Sequence, residues 1–304
     1  MSKSMRSIRI TITAMPTSMS IPINTAPEAS HITALRATFH CAREQTVIAE
    51  KYHTAPIKIA KTFPLGQGIG AIVMDVSPGL LDGDHYALDW RCEARSRVYV
   101  TNQSFTKVHP AGERNGAVLR QTFTLGEGAV MEHMPEPVML YKDGALRSES
   151  KVTLSQGSVW MQADVWCPGR TLRGEIFQYR RFESRIKVHY QDELIFNQRQ
   201  LLEPASQLLA VPGGWERASH IGAFLAFGDR IGAAQLEAAR DALAALPDRS
   251  AYGVSIGASL THKHGLAVMA AGTASWPLQE ALRAAWAAVR QSVLGEAPLQ
   301  LLRV

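Results

Sequence analysis

Cysteine is nearly missing from this chain. Its 304 residues contain only Cys41, Cys92 and Cys167, widely spaced and with no Cys-x-x-Cys pair. That excludes a disulfide scaffold and a thiolate zinc site, and it fits a reducing compartment, which points to the cytoplasm. No run approaches 18 uninterrupted apolar residues, so no helix is expected to span a membrane. The N-terminus lacks the charged stub and apolar core of a secretion signal. Charged residues make up 19% of the chain. No basic block longer than Arg180-Arg181 accompanies the net charge of +5, which argues against nucleic acid as a partner. The chain also lacks a P-loop, a dinucleotide-binding glycine fingerprint, a nucleophile elbow and a His-Glu-x-x-His helix. Gly66-Gln67-Gly68-Ile69-Gly70 has no helix after it and reads as a β-turn.

What is present is a β pattern. The apolar fraction of 46% is ordinary for a globular chain and rules out extensive disorder. Residues 1–40 read as a leader rich in Ser, Thr, Met and Pro, in which only Ser7 to Thr13 has strand character. From there to residue 304 no linker composition intervenes, so one continuous domain is expected. Runs rich in Val, Ile, Tyr, Phe and Thr alternate with Gly-bearing turns. They predict strands at Val47–His53, Ile57–Thr62, Ile69–Val76, Tyr86–Cys92, Val98–Thr101, Val118–Leu125 and Val159–Trp166. Two further segments alternate cleanly. Leu146, Ser148, Ser150, Val152 and Leu154 oppose Arg147, Glu149, Lys151 and Thr153. Phe182, Ser184, Ile186, Val188 and Tyr190 oppose Arg181, Glu183, Arg185, Lys187 and His189. Each has one buried face and one that is solvated or faces a partner.

Two helices come late. Leu236, Ala239, Leu243 and Leu246 follow helical spacing until Pro247. The second starts after Ser275 as N-cap, carries Leu278, Leu282, Ala285, Trp286, Val289 and Val293 on one stripe, and ends at Gly295. Between them, Tyr252–Leu260 and Leu266–Ala271 read as strands, and the small residues Gly253 to Ser259 imply tight backbone packing. The pattern is mainly β with two helices packed on it; a sandwich, a barrel and a solenoid all satisfy it.

Carboxylates are the residues most suited to chemistry. Asp75, Asp82 and Asp84 surround a turn-rich stretch, Glu132 and Glu136 flank Met134-Pro135, and Glu175 follows Gly169-Arg170 and Gly174. An Asp in a turn commonly accepts a hydrogen bond from its own backbone. Separated carboxylates also suit a loosely held divalent cation. Asp82 and Asp84 share a face of an extended segment, which leaves a β-rich hydrolase with paired carboxylates as the alternative. His262 and His264 sit at a turn and read as a surface loop.

Four segments in fixed order resemble the urease accessory protein UreD family, called UreH in some bacteria. They are Ser77 to Asp84, Val100 to His109, Met131 to Met139, and Pro168 to Phe177. The chain departs from most of the family at Pro78, Asp82 and His133, and is closer to the UreH branch. The resemblance implies a large, helix-like stack of strands with two α-helices near the C-terminus. It implies a scaffold, not an enzyme, which binds apo-urease and recruits UreF and, through it, the GTPase UreG. A dimer of that complex is a further implication. The scaffold would assist nickel delivery, with no cofactor held tightly. Asp84, Glu132, Glu136 and Glu175 become candidates for weak contact with nickel in transit. Gly83, Thr106, Lys107, Gly169, Arg170 and Gly174 become structural or partner-facing positions.

Overall fold

The computed structural model describes residues 32–299 apart from Asn115, Ala210, Gly213, Arg249 and Pro298. Two hairpins open the chain: β1 (Ile32–Ala42) with β2 (Gln45–His53), and β3 (Ile57–Leu65) with β4 (Gly68–Asp75). Three coils follow. Each lays one strand in a first sheet and then crosses to a second: β5 (His85–Cys92) to β6 (Arg97–Asn102), β8 (Ala117–Leu125) to β9 (Val130–His133), and β11 (Ala145–Leu154) to β12 (Val159–Cys167). Short strands β7 (Thr106–Val108) and β10 (Val138–Leu140) join the second sheet beside β12. Successive coils stack in parallel, as in a solenoid. Hairpin β13 (Arg181–Tyr190) and β14 (Glu193–Leu202) extends the first sheet. Strands β15 (His220–Phe227), β17 (Gly265–Gly272) and β16 (Ser255–Leu260) extend the second beyond β12, each antiparallel to its neighbour.

One turn is repeated at every crossover. The amides of Ser96, Ala129 and Ser158 each bond the carbonyl three residues back, at 3.1, 3.1 and 3.2 Å. The third position has positive φ each time, at Arg95 (60°), Gly128 (64°) and Gly157 (68°). Glycine adopts that backbone without steric cost, which is why two of the three turns carry it there.

The inward residues of each coil fall into register. Ala37, Trp90, Phe123, Val152 and Val188 make one row across the first sheet, all buried. With Trp160, Phe182 and Phe227 they form the core between the sheets. A second core lies between the other face of the second sheet and the helices α1 (Ala233–Ala244) and α2 (Ser275–Leu294). There Leu278, Leu282, Ala285, Trp286 and Val289 are buried, so the apolar stripe of α2 packs internally. Gly295 ends the helix at φ 69°, in the left-handed C-cap.

Three expectations are corrected. Residues 32–40 belong to β1, not to the leader, because Thr33, Leu35, Ala37 and Phe39 point inward between β5 and β2. Ser275 is the first helical residue, and Ala274 holds the extended cap position without a side-chain bond. The Gly253–Ser259 run is not tightly packed: β16 is an exposed edge strand, and nothing lies within 4 Å of the Cβ position of Gly257. Ser7 to Thr13 lies outside the described residues. No helix of the described residues is long and apolar enough to cross a membrane.

Trp286 is 6% exposed between β12 and α2, and its indole also bonds Glu132. Trp286→Ala should cost about 3–5 kcal/mol through the cavity it leaves. Trp286→Phe, which keeps most of the packing, should cost less. Urea unfolding followed by circular dichroism measures both; a loss under about 1 kcal/mol for the alanine variant would mean that the stripe is not load-sharing.

Candidate functional site

The core between the sheets is interrupted by polar side chains. Ser148, Ser150 and Ser184 occupy inward positions of β11 and β13, and Gln121 of β8 lies beside Ser150 in the register. His133 of β9 and Gln162 and Asp164 of β12 line the same space from the second sheet. A serine leaves unfilled the volume that a neighbouring Leu or Val would take, and the sheets stay apart around a cavity of about 150 Å³. That is room for several waters. Tyr86 and Asp75 extend the polar lining, with the phenol donating to Asp75 Oδ2 at 3.0 Å.

Three of these side chains form a relay. His133 Nδ1 lies 2.9 Å from Gln162 Oε1, and the Gln162 amide nitrogen donates to Asp164 Oδ2. An ionised carboxylate only accepts, so the Gln162 NH2 faces Asp164 and its oxygen faces the ring; Nδ1 therefore carries the imidazole proton. Burial drives the His133 pKa down to about 4, against the pull of Gln162, and the ring is neutral at neutral pH. Burial pushes the Asp164 carboxyl up to about 6, with the Gln162 bond opposing it. One wall of the cavity thus holds an aspartate poised to exchange its proton just below neutrality.

The expected site residues are spread over this framework. Asp84 builds a turn: its Oδ2 accepts the Leu81 amide at 2.7 Å, next to Gly83 at φ 84°. Asp82 accepts the amides of Arg114 and Gly116 at 3.0 and 2.7 Å. Asp82 and Asp84 are thus both engaged by backbone, in place of a shared substrate space. Thr106 and Lys107 form β7 and line the cavity, and the Lys107 carbonyl accepts the Leu80 amide at 2.8 Å. Among the described residues the Lys107 ammonium has no carboxylate partner.

Glu132 lies on the side of β9 facing α2. It accepts Trp286 Nε1 at 2.6 Å and Arg290 Nε at 3.1 Å, and both it and Arg290 are 4% exposed. Burial pushes the Glu132 carboxyl up, while the Arg290 guanidinium and Trp286 indole pull it back. Arg290 and Arg97 in turn hold Glu296, just past the helix. Glu136 lies on the cavity wall, where Gln279 donates to it at 3.2 Å and Arg283 approaches to 3.6 Å.

Glu175 accepts two bonds from one edge of the Arg170 guanidinium, Nε at 2.8 Å and Nη2 beside it. The bonds from Arg170 hold its pKa below the usual carboxylate range. Arg170 also stacks over Tyr141, 4.2 Å from the ring centre. Gly169, at φ 141°, must be glycine, since a Cβ would run into the Glu175 carbonyl. Gly174 closes the short 3-10 turn at φ 75°. The structure brings Thr106, Lys107 and Glu136 to one cavity and leaves Asp84, Glu132 and Glu175 at three separate places. Among the described residues, no three His, Cys, Asp or Glu side chains converge to hold a metal. The buried thiols of Cys92 and Cys167 are pushed up to about 12 by burial and are poor nucleophiles or ligands.

The sequence reading passed over Gln121, His133, Gln162 and Asp164 as site residues. A signal was available: serines at positions 148, 150 and 184 sit on faces whose other members are apolar. Polar side chains at inward positions of neighbouring strands mark a wet interior.

Stacked coils around a polar interior, flanked by two helices, define a β-rich scaffold. A family model described as UreD urease accessory protein matches residues 31–303. The chain belongs to the UreD family of urease accessory proteins. It is 33% identical over 242 residues to the urease accessory protein UreD of Acetivibrio thermocellus, covering 79% of this chain and 90% of that protein. It is 28% identical over 274 residues to urease accessory protein UreD 2 of Brucella suis, covering 86% and 87%. It is also 28% identical over 191 residues to UreD of Bacillus cereus, covering 62% and 70%.

The raised pKa of Asp164 has a stability signature. Below its ordinary value of 3.8 the carboxyl is protonated in both folded and unfolded chains. Between there and about 6 the folded chain holds the extra proton, so stability falls as pH rises. Asp164→Asn should leave stability unchanged below pH 3.8 and raise it by about 1–2 kcal/mol above pH 6, part of the full effect being offset by cavity water. Chemical unfolding across this range checks the sign; a pH-independent difference would contradict the assignment.

Proposed function

We propose that this protein is a non-catalytic scaffold in urease maturation, and that its polar interior is part of the route along which nickel reaches apo-urease. In this reading it binds apo-urease, recruits UreF and, through UreF, the GTPase UreG, and works in the cytoplasm. The observation that carries the proposal is the cavity, set inside the body of a urease accessory protein. An ordinary β core would be filled with Leu, Ile and Val. This one instead presents hydroxyl, amide and carboxylate oxygens. Oxygen donors of this kind suit a divalent ion held weakly and passed on, whereas a closed His/Cys cage would trap it.

Within that route we assign Glu136 and Asp164 as the carboxylates that meet the cation. Glu136 is the one of the four expected acids on the cavity wall. Its contacts to Gln279 and Arg283, at 3.2 and 3.6 Å, are longer than those of the Leu81 amide on Asp84 (2.7 Å), Arg290 on Glu132 (3.1 Å) and Arg170 on Glu175 (2.8 Å), so it is the easiest of the four to free. Asp164 binds a proton and a cation competitively, so loading favours higher pH and unloading lower pH.

The test is nickel per urease active site, with a pull-down of the complex alongside. Glu136→Gln and Asp164→Asn keep the size of each side chain and remove its charge. Both variants should retain the complex and deliver several-fold less nickel. Glu132→Gln should behave differently, loosening α2 and weakening assembly. Full nickel content with an intact complex in Glu136→Gln and Asp164→Asn would overturn the route while leaving the scaffold standing.

A further inference from the structure

The outer face of the first sheet carries a charge pattern that the interior route does not use. The outward positions of β8, β11, β13 and β14 fall into rows across the strands. One row reads Val118, Arg147, Glu183, Leu201; the next reads Arg120, Glu149, Arg185, Arg199; the third reads Thr122, Lys151, Lys187, Asn197. Glu149 is clamped between Arg120 and Arg147, and Glu183 between Arg181 and Arg199. Each carboxylate thus holds two guanidinium groups, so this end of the face also stays net positive. Lys151, Arg185 and Lys187 have no carboxylate within ion-pair distance among the described residues.

Two like-charged pairs stand directly opposite one another: Lys151 with Lys187, and Arg185 with Arg199. Cross-strand like charges, about 5 Å apart, destabilise an isolated sheet. The neighbouring rows show that this sheet also places opposite charges side by side. The repulsion falls on three adjacent strands, where Lys151 and Arg199 are exposed and Arg185 and Lys187 part-exposed. The repulsion is relieved by an arriving carboxylate.

We propose that this face, centred on Lys151, Arg185 and Lys187, docks an acidic protein surface. The proposal rests on the scaffold reading and names the chemistry of one of its contacts. Carboxylates spaced like strand residues would fit it. The modest net charge of +5 and the lack of a basic block longer than two residues argue for a protein surface over a phosphate backbone.

The experiment uses the full chain, with apo-urease and UreF immobilised separately as probes. Wild type should bind one of the two with an affinity that falls steeply between about 0.05 and 0.5 M salt. Lys151→Glu/Lys187→Glu should lose roughly tenfold or more at low salt, with no loss of thermal stability. Lys151→Gln/Lys187→Gln should lose less, with a shallower salt dependence, and covers the case in which the glutamate variant misfolds. Wild-type affinity and salt dependence in the glutamine variant would overturn the face while leaving the scaffold intact. Salt-sensitive binding of a single-stranded RNA, lost in these variants while both proteins still bind, would replace the acidic protein with nucleic acid. Failure of wild type to hold either protein would overturn the scaffold reading and this proposal with it.

Discussion

The parallel register of β5, β8, β11 and β13 is the constraint on which the other features depend. Because side chains alternate along a strand, register decides at once which residues meet inside and which meet outside. Trp90, Phe123, Val152 and Val188 line up in one inward row, and the same alignment puts Ser148 beside Ser184 and Ser150 beside Gln121. A slip of one residue in β11 would drive Arg147 and Lys151 into the core and turn Leu146 and Val152 to water. The repeated crossover turns prevent it. Arg95, Gly128 and Gly157 fix the point at which each coil leaves the first sheet, and the amides of Arg95 and Gly128 bond the next turn along, at 2.8 and 3.0 Å.

The polar interior works against stability and therefore needs a rigid shell. A buried amide or carboxyl costs free energy unless its bonds are made, and a cavity forfeits the contacts that filled it. The relay from His133 through Gln162 to Asp164 satisfies its own members in sequence. Around it, Trp90 and Phe39 stack at 6.5 Å and Trp160 packs against Phe123 at 5.6 Å. Large aromatics fill one part of the core, and small serines line the cavity in another.

Much of this was legible in the sequence, for reasons that can be traced. Most strands from Gln45 to Cys167 announced themselves by β-branched residues and glycine-bearing turns, while β7, β9 and β10, three or four residues each, are too short to show a period. The stripe on α2 was clear because six apolar residues recur at helical spacing and Gly295 stops them. β1 was missed because alanine and threonine dilute its apolar face: Thr33, Leu35, Ala37 and Phe39 alternate correctly, yet only two of the four are strongly hydrophobic. The cavity was missed for a different reason. Ser148 and Ser184 lie in separate strands, and only the register, which no local pattern contains, brings them together with Asp164.

The carboxylates show the same limit from the other side. Glu132 and Glu175 look alike in sequence, each an acid beside a turn or strand end. In three dimensions each is paired with an arginine, and what differs is what the pair supports. Arg290 binds Glu132 from α2, across 158 residues of chain, so that pair fixes the helix to the second sheet. Arg170 binds Glu175 within five residues, so that pair shapes only its own loop. Breaking the first leaves a charge in a dry place, which is the expensive case for a buried ion pair. Breaking the second exposes both groups to water, where the loss is mainly loop geometry. Local sequence supplies the acid, and the distant partner decides whether that acid is an anchor, a turn-builder or, as at Glu136 and Asp164, a group left facing the cavity.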